Sequence, residues 1–493
     1  MKRSGTADGP PDREVGEGAD ASRPLLSFDS HADLLDEFAA IVGEGNVLTD
    51  PDLTIRYGIP WGGSGGVAPL AVVRPLDAGE AAVVLRRCSE RRRSVVPQGG
   101  NTGLVRGAVP REGDLVLSTE RMTSCGEVDP IALQVTAGAG LTLEELQRQL
   151  EPSGLELPVD LGSRGQATLG GMAATAAGGT RAFRHGTMRR LVVGVEAVLA
   201  DGTVLDGLRG VVKDTTGYDW ASIMVGSEGT LGVITRVRLQ LRPLRRSRAA
   251  AMIRFATLEE AMRLATSVRD GDSGLEAAEF MLAGATDLVC DELGLEQPPG
   301  GDGEVVMLLE ARAREDAMDG LVTALAAAGA SADAALAEGS ETARLWRYRE
   351  GLGEALLRRA PVVKLDVALP LSGLAAGVAA LERAAFAAGG DSIAPYLFGH
   401  LLDGNVHVNI GGVDPERFEE VERAVLAVVL SHGGSIGAEH GIGTAKTKWL
   451  AADRSHADID AMRRIKAALD PRGILAPGTL FADADADADR GEG

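Results

Sequence analysis

Cysteine is scarce: three in 493 residues, Cys88, Cys125 and Cys290, far apart and never in CxxC spacing. That excludes a disulfide framework and a cysteine-ligated iron–sulfur cluster, and it fits a reducing compartment. Positive charge is also in deficit, with 50 Lys and Arg against 71 Asp and Glu and a net charge of −21. The basic runs Arg91–Arg93 and Arg245–Arg246 have no interleaved aromatics and read as solvated faces, so nucleic-acid binding is not expected. No uninterrupted apolar run reaches the roughly 18 residues of a membrane span. The first 20 residues lack the apolar core of a signal peptide and are too acidic for a transit peptide. The expectation is a cytoplasmic protein with no transmembrane segment. A GxGxxG fingerprint is missing, and GIGTAKT at 441–447 lacks the Gly-Lys pair of a phosphate loop. Both gaps disfavour a Rossmann-type nicotinamide site and a nucleoside triphosphatase.

What is present reads as globular: 45 % hydrophobic and 25 % charged residues, and room for two or three domains. Residues 1–28 and the ADADADAD repeat from 482 to 493 read as disordered. Helical spacing predicts helices near 30–42, capped by Ser30, and near 78–90 and 142–150. Strands are expected at 114–118, 131–137, 191–199 and 232–241. Glycine-rich character ends near Arg242–Pro243, and an Ala/Leu-rich stretch from about 250 to 390 predicts helices at 257–268, 314–328 and 371–388. Residues 436–481 return to glycine-rich loops, with a helix near 457–469. Short strands mixed with helices indicate an α+β fold.

The 65 glycines concentrate in a few segments. In PQGGNTGL (97–104), Gly99, Gly100, Asn101, Thr102 and Gly103 can aim backbone N–H groups together, a nest that binds pyrophosphate without lysine. LGGMAATAAGG (169–179) offers small side chains against which a planar ligand can lie, and GSEGTLGVIT (226–235) precedes an apolar strand. Any one of these alone reads more simply as a tight loop. Together, with LPVDLGSRGQ, VVGVEAVLADGTVLD and KDTTGYD, they resemble the vanillyl-alcohol-oxidase/PCMH-type FAD-binding superfamily, in its D-lactate and D-2-hydroxyglutarate dehydrogenase branch. The resemblance covers about 50–481. It implies a two-subdomain FAD-binding domain (29–246), an α/β substrate-binding cap (247–435) and a C-terminal segment (436–481) that returns to complete the active site. It implies FAD contacts from Pro97, Gly99, Gly100, Asn101, Thr102, Gly103, Leu104, Asp160, Gly170, Gly171, Thr175, Gly178, Gly179, Glu228, Gly232 and Ile234. Ala176 stands where the family has Asn, and His185 where it has Tyr. His185 does not match the superfamily's attachment sites, so the flavin is expected to be non-covalent.

Four of the seven histidines fall between 400 and 440. GHLLDGNVHVNI (399–410) reads as strand, turn and strand, with His400 and His407 across from each other. His407 and Asn409, two apart, share a face, while Val406, Val408 and Ile410 turn to the core. SIGAEHGIG adds adjacent Glu439 and His440. Two imidazoles and a carboxylate suit a divalent metal, although histidines in a hairpin also serve simply as hydrogen-bonding groups. That plainer reading is adopted for His432, at a helix C-terminus. The resemblance implies His400, His407 and Glu439 as metal ligands (zinc, with manganese or iron as alternatives) and His440 as catalytic base.

Oxidising an alcohol to a ketone removes a hydroxyl proton and a hydride; a metal acidifies the hydroxyl, a histidine takes the proton and the flavin takes the hydride. Arg349 and Lys364 can hold a substrate carboxylate, and the resemblance adds Asn409. Gly353 replaces a family Thr. A small D-2-hydroxy acid is expected as substrate: D-2-hydroxyglutarate first, D-lactate or glycolate next. The electron acceptor is an electron-transfer flavoprotein, a quinone or a cytochrome, and a homodimer is left open. A non-catalytic FAD-binding subunit would lack the His/His/Glu-His set, and so would an NADPH-linked reductase of the same fold.

Overall fold

The computed structural model describes residues 31–482 except 62, 64, 272, 331 and 332. The expectations for segment 1–28, the Ser30 cap and the acidic repeat after 482 lie outside the described residues. The first sheet comprises β1 (Val47–Leu48), β2 (Ala71–Val73), β3 (Val95–Gln98) and β4 (Leu115–Ser118), in the order β1-β2-β4-β3. β2, β4 and β3 run parallel. Parallel strands are covered on both faces, which is why AVV and LVLS are unbroken buried runs. Helix Ala78–Glu90 begins where the Asp77 side chain accepts the Glu80 N–H, and it seals one face through Ala81, Leu85 and Cys88.

Next come β5 (Gln134–Gly138), β6 (Leu155–Glu156), β7 (Val192–Val198), β8 (Val204–Gly207), β9 (Val233–Gln240) and β10 (Arg242–Pro243). β5, β9, β7 and β8 form an antiparallel sheet in that order, and β6 pairs with β10. Alternation in β9 turns Val237 and Leu239 into a second core while Arg236 and Arg238 face out.

The third sheet uses β11 (Ser247–Phe255), β12 (Leu275–Leu282), β13 (Val305–Ala313), β14 (Ala335–Glu338), β15 (Val362–Ala368), β16 (Ala394–His400) and β17 (Asn405–Gly411). Its order is β14-β11-β13-β12-β16-β17-β15, antiparallel throughout. One face, including Val363, Leu365, Val367, Val406, Val408 and Ile410, joins the largest apolar core beneath helices Leu258–Asp270, Ala317–Ala327, Leu374–Gly389 and Phe418–Ser431. The period of two sends Lys364, Asp366, His407 and Asn409 to the other face.

From Ser435, bridged to Ala368 of the third sheet, the chain runs back to the first sheet. Leu475 bridges Val95 in parallel, Ile474 and Leu475 are buried in that sheet's core, and Lys466 Nζ donates to Thr230 O.

Three expectations change, and the expected helix at 371–388 is found. Helices Pro51–Gly58 and Ala283–Leu293 were not anticipated; the first is short and the second has apolar positions nearly all round, so neither shows a clear stripe. The helical stretch Leu371–Gly389 is, at 19 residues and mean hydropathy 1.3, long and apolar enough to cross a membrane by length and composition. Its Leu374, Val378, Leu381 and Ala385 are buried in the core of the third sheet, which accounts for that apolarity. Arg91 is no simple solvated charge: it pairs with Glu37 at 2.7 Å.

Candidate active site

The loop after β3 lies directly against residues 166–168. A Cβ on Gly99 would stand 2.1 Å from Thr168 Oγ1, and one on Gly100 1.8 Å from Gln166 O, so glycine is demanded by the close approach. Asn101 takes φ +50°, the left-handed turn a backbone nest requires. The N–H groups of Asn101, Thr102 and Gly103 donate to no other group among the described residues. A cleft of about 430 Å³ opens here. Pro97, Gly99–Leu104, Gly170, Gly171, Thr175, Gly178, Glu228, Gly232 and Ile234 line it, together with Trp61, the one aromatic among its described lining residues. Asp160 and Gly179 are not among the lining residues; they bridge each other, and Asp160 pairs with Arg164 at 3.0 Å. Free N–H groups in a glycine-walled cleft fit a pyrophosphate-bearing cofactor.

Glu439 and His440 line the same cleft. The hairpin brings His400 and His407 to one face, but diagonally: His400 opposes Asn405 and His407 opposes Phe398, with ring centroids 5.4 Å apart. This corrects the expected direct pairing, because the Leu401–Gly404 connection is four residues long and shifts the register. One donor atom each from His400, His407 and Glu439 lie within 4.8 Å of one another. Atoms bound roughly 2 Å from one ion lie within about 4 Å of one another, and the His400 Nε2–Glu439 Oε1 pair, at 3.3 Å, meets that spacing. His400 Nε2 is buried, 3.3 Å from Glu439 Oε1, and has no hydrogen-bond partner. A buried imidazole nitrogen without a hydrogen-bond partner, beside a carboxylate, is a donor set that fits a cation. Asp366, His407 and His440 form a second such group, but both Asp366 oxygens already accept N–H donors.

The surroundings orient these side chains. His400 Nδ1 is 2.7 Å from Glu279 Oε1, whose other oxygen accepts Arg349 Nε at 2.8 Å. His407 Nδ1 lies 3.2 Å from Asp366 Oδ1. Gly179 N–H donates to Glu439 Oε1 at 3.0 Å. Glu228 accepts the N–H groups of Ile442 and Gly443, at 3.0 and 2.6 Å. Gly441 takes φ +80°, and a Cβ there would sit 2.7 Å from Glu228 Oε1. Burial opposes ionisation of Glu439, yet adjacent His400 outweighs it and holds the carboxyl at about 2. Burial lowers the pKa of His440, with Asp366 opposing.

Arg349 stacks on Phe398, 4.6 Å from the ring centroid. Lys364 and Asn409 are cross-strand partners, and the Lys364 amine, lowered by burial, has no ion-pair partner among the described residues. Gly353 is exposed in open space. His432 caps its helix with Nδ1 2.8 Å from Val428 O, apart from the cluster. His185 is packed, 2.7 Å from Glu276. Asp366 and Glu279 were missed in the sequence. A signal existed in each: Asp366 follows Lys364 at the strand period, and Glu279 interrupts the apolar run LEAAEFML.

Comparison with known proteins agrees with this geometry. Residues 69–207 match the FAD binding domain family, and residues 244–480 match the C-terminal domain of FAD linked oxidases. Mitochondrial D-2-hydroxyglutarate dehydrogenase of Bos taurus is 36 % identical over 471 residues, covering 90 % of this chain and 82 % of its own. The D-2-hydroxyglutarate dehydrogenase of Xanthomonas citri is 33 % identical, covering 89 % and 94 %. A putative mitochondrial D-lactate dehydrogenase of Schizosaccharomyces pombe is 32 % identical, covering 92 % and 94 %. Among solved structures, p-cresol methylhydroxylase superposes with a TM-score of 0.71 at 16 % identity, covering 92 % of this chain and 97 % of its own. Alkyldihydroxyacetonephosphate synthase gives 0.68 at 16 %, covering 91 % and 85 %. The α+β fold is thus that of the PCMH-type FAD oxidases, and the chain belongs to the family of FAD-linked D-2-hydroxy acid dehydrogenases.

Proposed function

We propose that the protein oxidises D-2-hydroxyglutarate to its 2-oxo acid, with D-lactate or glycolate as the alternative substrates. The observation that carries this reading is that Glu439 and His440 line the same cleft as the FAD loops. Non-covalently bound FAD would supply the hydride acceptor, and a divalent ion (zinc, with manganese or iron as alternatives) would acidify the substrate hydroxyl. His400, His407 and Glu439 hold that ion, their donor atoms already clustered. His440 accepts the hydroxyl proton; its lowered pKa keeps the imidazole neutral and available near pH 7. Arg349 and Lys364, with Asn409, hold the carboxylates: the Arg349 fork commits Nε to Glu279, and the Lys364 amine stands unpaired on the same sheet face. Electrons then leave to an electron-transfer flavoprotein, a quinone or a cytochrome. A non-catalytic FAD subunit is disfavoured, because it has no use for the His/His/Glu cluster beside the cleft.

Anaerobic bleaching of the flavin absorbance by D- and L-2-hydroxy acids, combined with metal analysis, tests the proposal. D-2-hydroxyglutarate is expected to bleach fastest, a chelator to stop bleaching and zinc to restore it. His407→Ala is expected to lose turnover by about 10²–10³-fold, several kcal/mol of lost stabilisation. Full turnover in that variant removes the metal from the reaction, and bleaching by L-acids alone removes the substrate assignment.

A further inference from the structure

We propose that Asp366 is the positioning residue that sets the imidazoles of both His407 and His440, through one buried carboxylate shared by a strand and a turn. The proposal rests on the metal-assisted reading above and deepens it. Asp366 lies on β15 with its side chain 2 % exposed. Its Oδ1 accepts Asn405 Nδ2 at 2.7 Å and stands 3.2 Å from His407 Nδ1. Its Oδ2 accepts the backbone N–H groups of Glu439 and His440, at 2.8 and 3.0 Å, and stands 3.6 Å from His440 Nδ1. Each of these contacts is a donor or an imidazole nitrogen, while the Glu439 carboxylate lies close enough to feel the Asp366 charge.

An ionised carboxylate only accepts hydrogen bonds and repels a ring lone pair, so a neutral imidazole whose Nδ1 faces it gains by carrying the proton there. The electrostatics therefore favour one tautomer in each ring, at 3.2 Å for His407 and 3.6 Å for His440: Nε2 carries the free lone pair, available to an ion in His407 and to a proton in His440. The same oxygen that faces His440 Nδ1 holds the backbone of Glu439, so ligand, ligand and base are registered to one group. Glu279 does the corresponding work for His400 alone. Asp366 as a ligand itself is the weaker reading, since an ion there would strand two backbone N–H groups that have no other acceptor.

Asp366→Asn is the test. The amide has one oxygen and one NH₂; whichever way it turns, the NH₂ meets donors, either His407 and Asn405 or the two backbone N–H groups. Metal-stripped protein titrated with zinc against a chromophoric chelator is expected to show about 10- to 100-fold weaker binding in the variant, with flavin content and flavin absorbance retained. Equal zinc affinity in variant and wild type overturns the proposal. Independently of whether that variant folds, long-range proton–nitrogen spectra of histidine-labelled wild type are expected to show His407 and His440 with Nδ1 protonated. An Nε2–H form of His407 also overturns it. If the wild type binds no zinc, the metal reading falls, and the spectra still decide the tautomers.

Discussion

Ala176 adopts φ +54° at the end of the small-residue run beside the FAD cleft. A Cβ in the left-handed region costs about 1–2 kcal/mol, which glycine does not pay. Ala176→Gly is therefore expected to stabilise the protein by about 1 kcal/mol, read from the urea midpoint at unchanged flavin content. The positive φ also explains why the family favours Asn here, since Asn tolerates that region better than Ala. At residue scale the sequence disclosed His400, His407, Glu439, His440 and the glycines, because scarce residue types in glycine-rich turns stand out locally. Asp366 and the true partners of Glu228 did not stand out: their roles depend on turn N–H groups 73 and 214–215 residues away along the chain.

At the scale of elements, the segment after Gly179 is anchored by a buried charge cluster. Arg181, 4 % exposed, pairs with Glu156 at 3.0 Å and with Glu276 at 2.7 Å, and His185 joins Glu276. Burial works against ionised Glu276, but His185 and Arg181 prevail and hold its carboxyl at about 2 against an ordinary 4.5. The folded-state pKa is depressed, so this stabilisation is complete above about pH 4.5 and is lost as pH falls toward about 2. Urea midpoints measured across that window are expected to fall more steeply for the wild type than for Glu276→Gln; parallel curves would contradict the assignment. Arg181→Met leaves two buried carboxylates without their main partner and is expected to cost about 3–5 kcal/mol, measured by chemical denaturation. Strand and helix periodicities foretold the longer elements of the flavin-binding part, whereas strands β11 to β14 of the third sheet were given no positions. The hairpin's diagonal register was not foreseeable, because a four-residue connection permits more than one alignment.

Across the whole molecule, the chain closes on itself: Ile474 and Leu475, near its end, fill the core of the first sheet beside Val95. Truncation before Ile474 withdraws two fully buried aliphatic side chains, about 1.5–3 kcal/mol each. It is expected to lower stability by about 3–6 kcal/mol, visible as earlier thermal release of flavin fluorescence. The return of the last segment was legible as a return of glycine-rich composition, but its docking partner was not, since a parallel bridge between residues 380 positions apart leaves no local trace.

The turn that presents Glu439 and His440 is gripped from two sides, by Asp366 of the third sheet and by Glu228 of the flavin-binding part. Prising those two bodies apart would take the proposed base and the proposed ligand out of register in a single motion. On the proposed mechanism, an incompletely assembled molecule is expected to be inert toward bystander alcohols even where its flavin stands exposed.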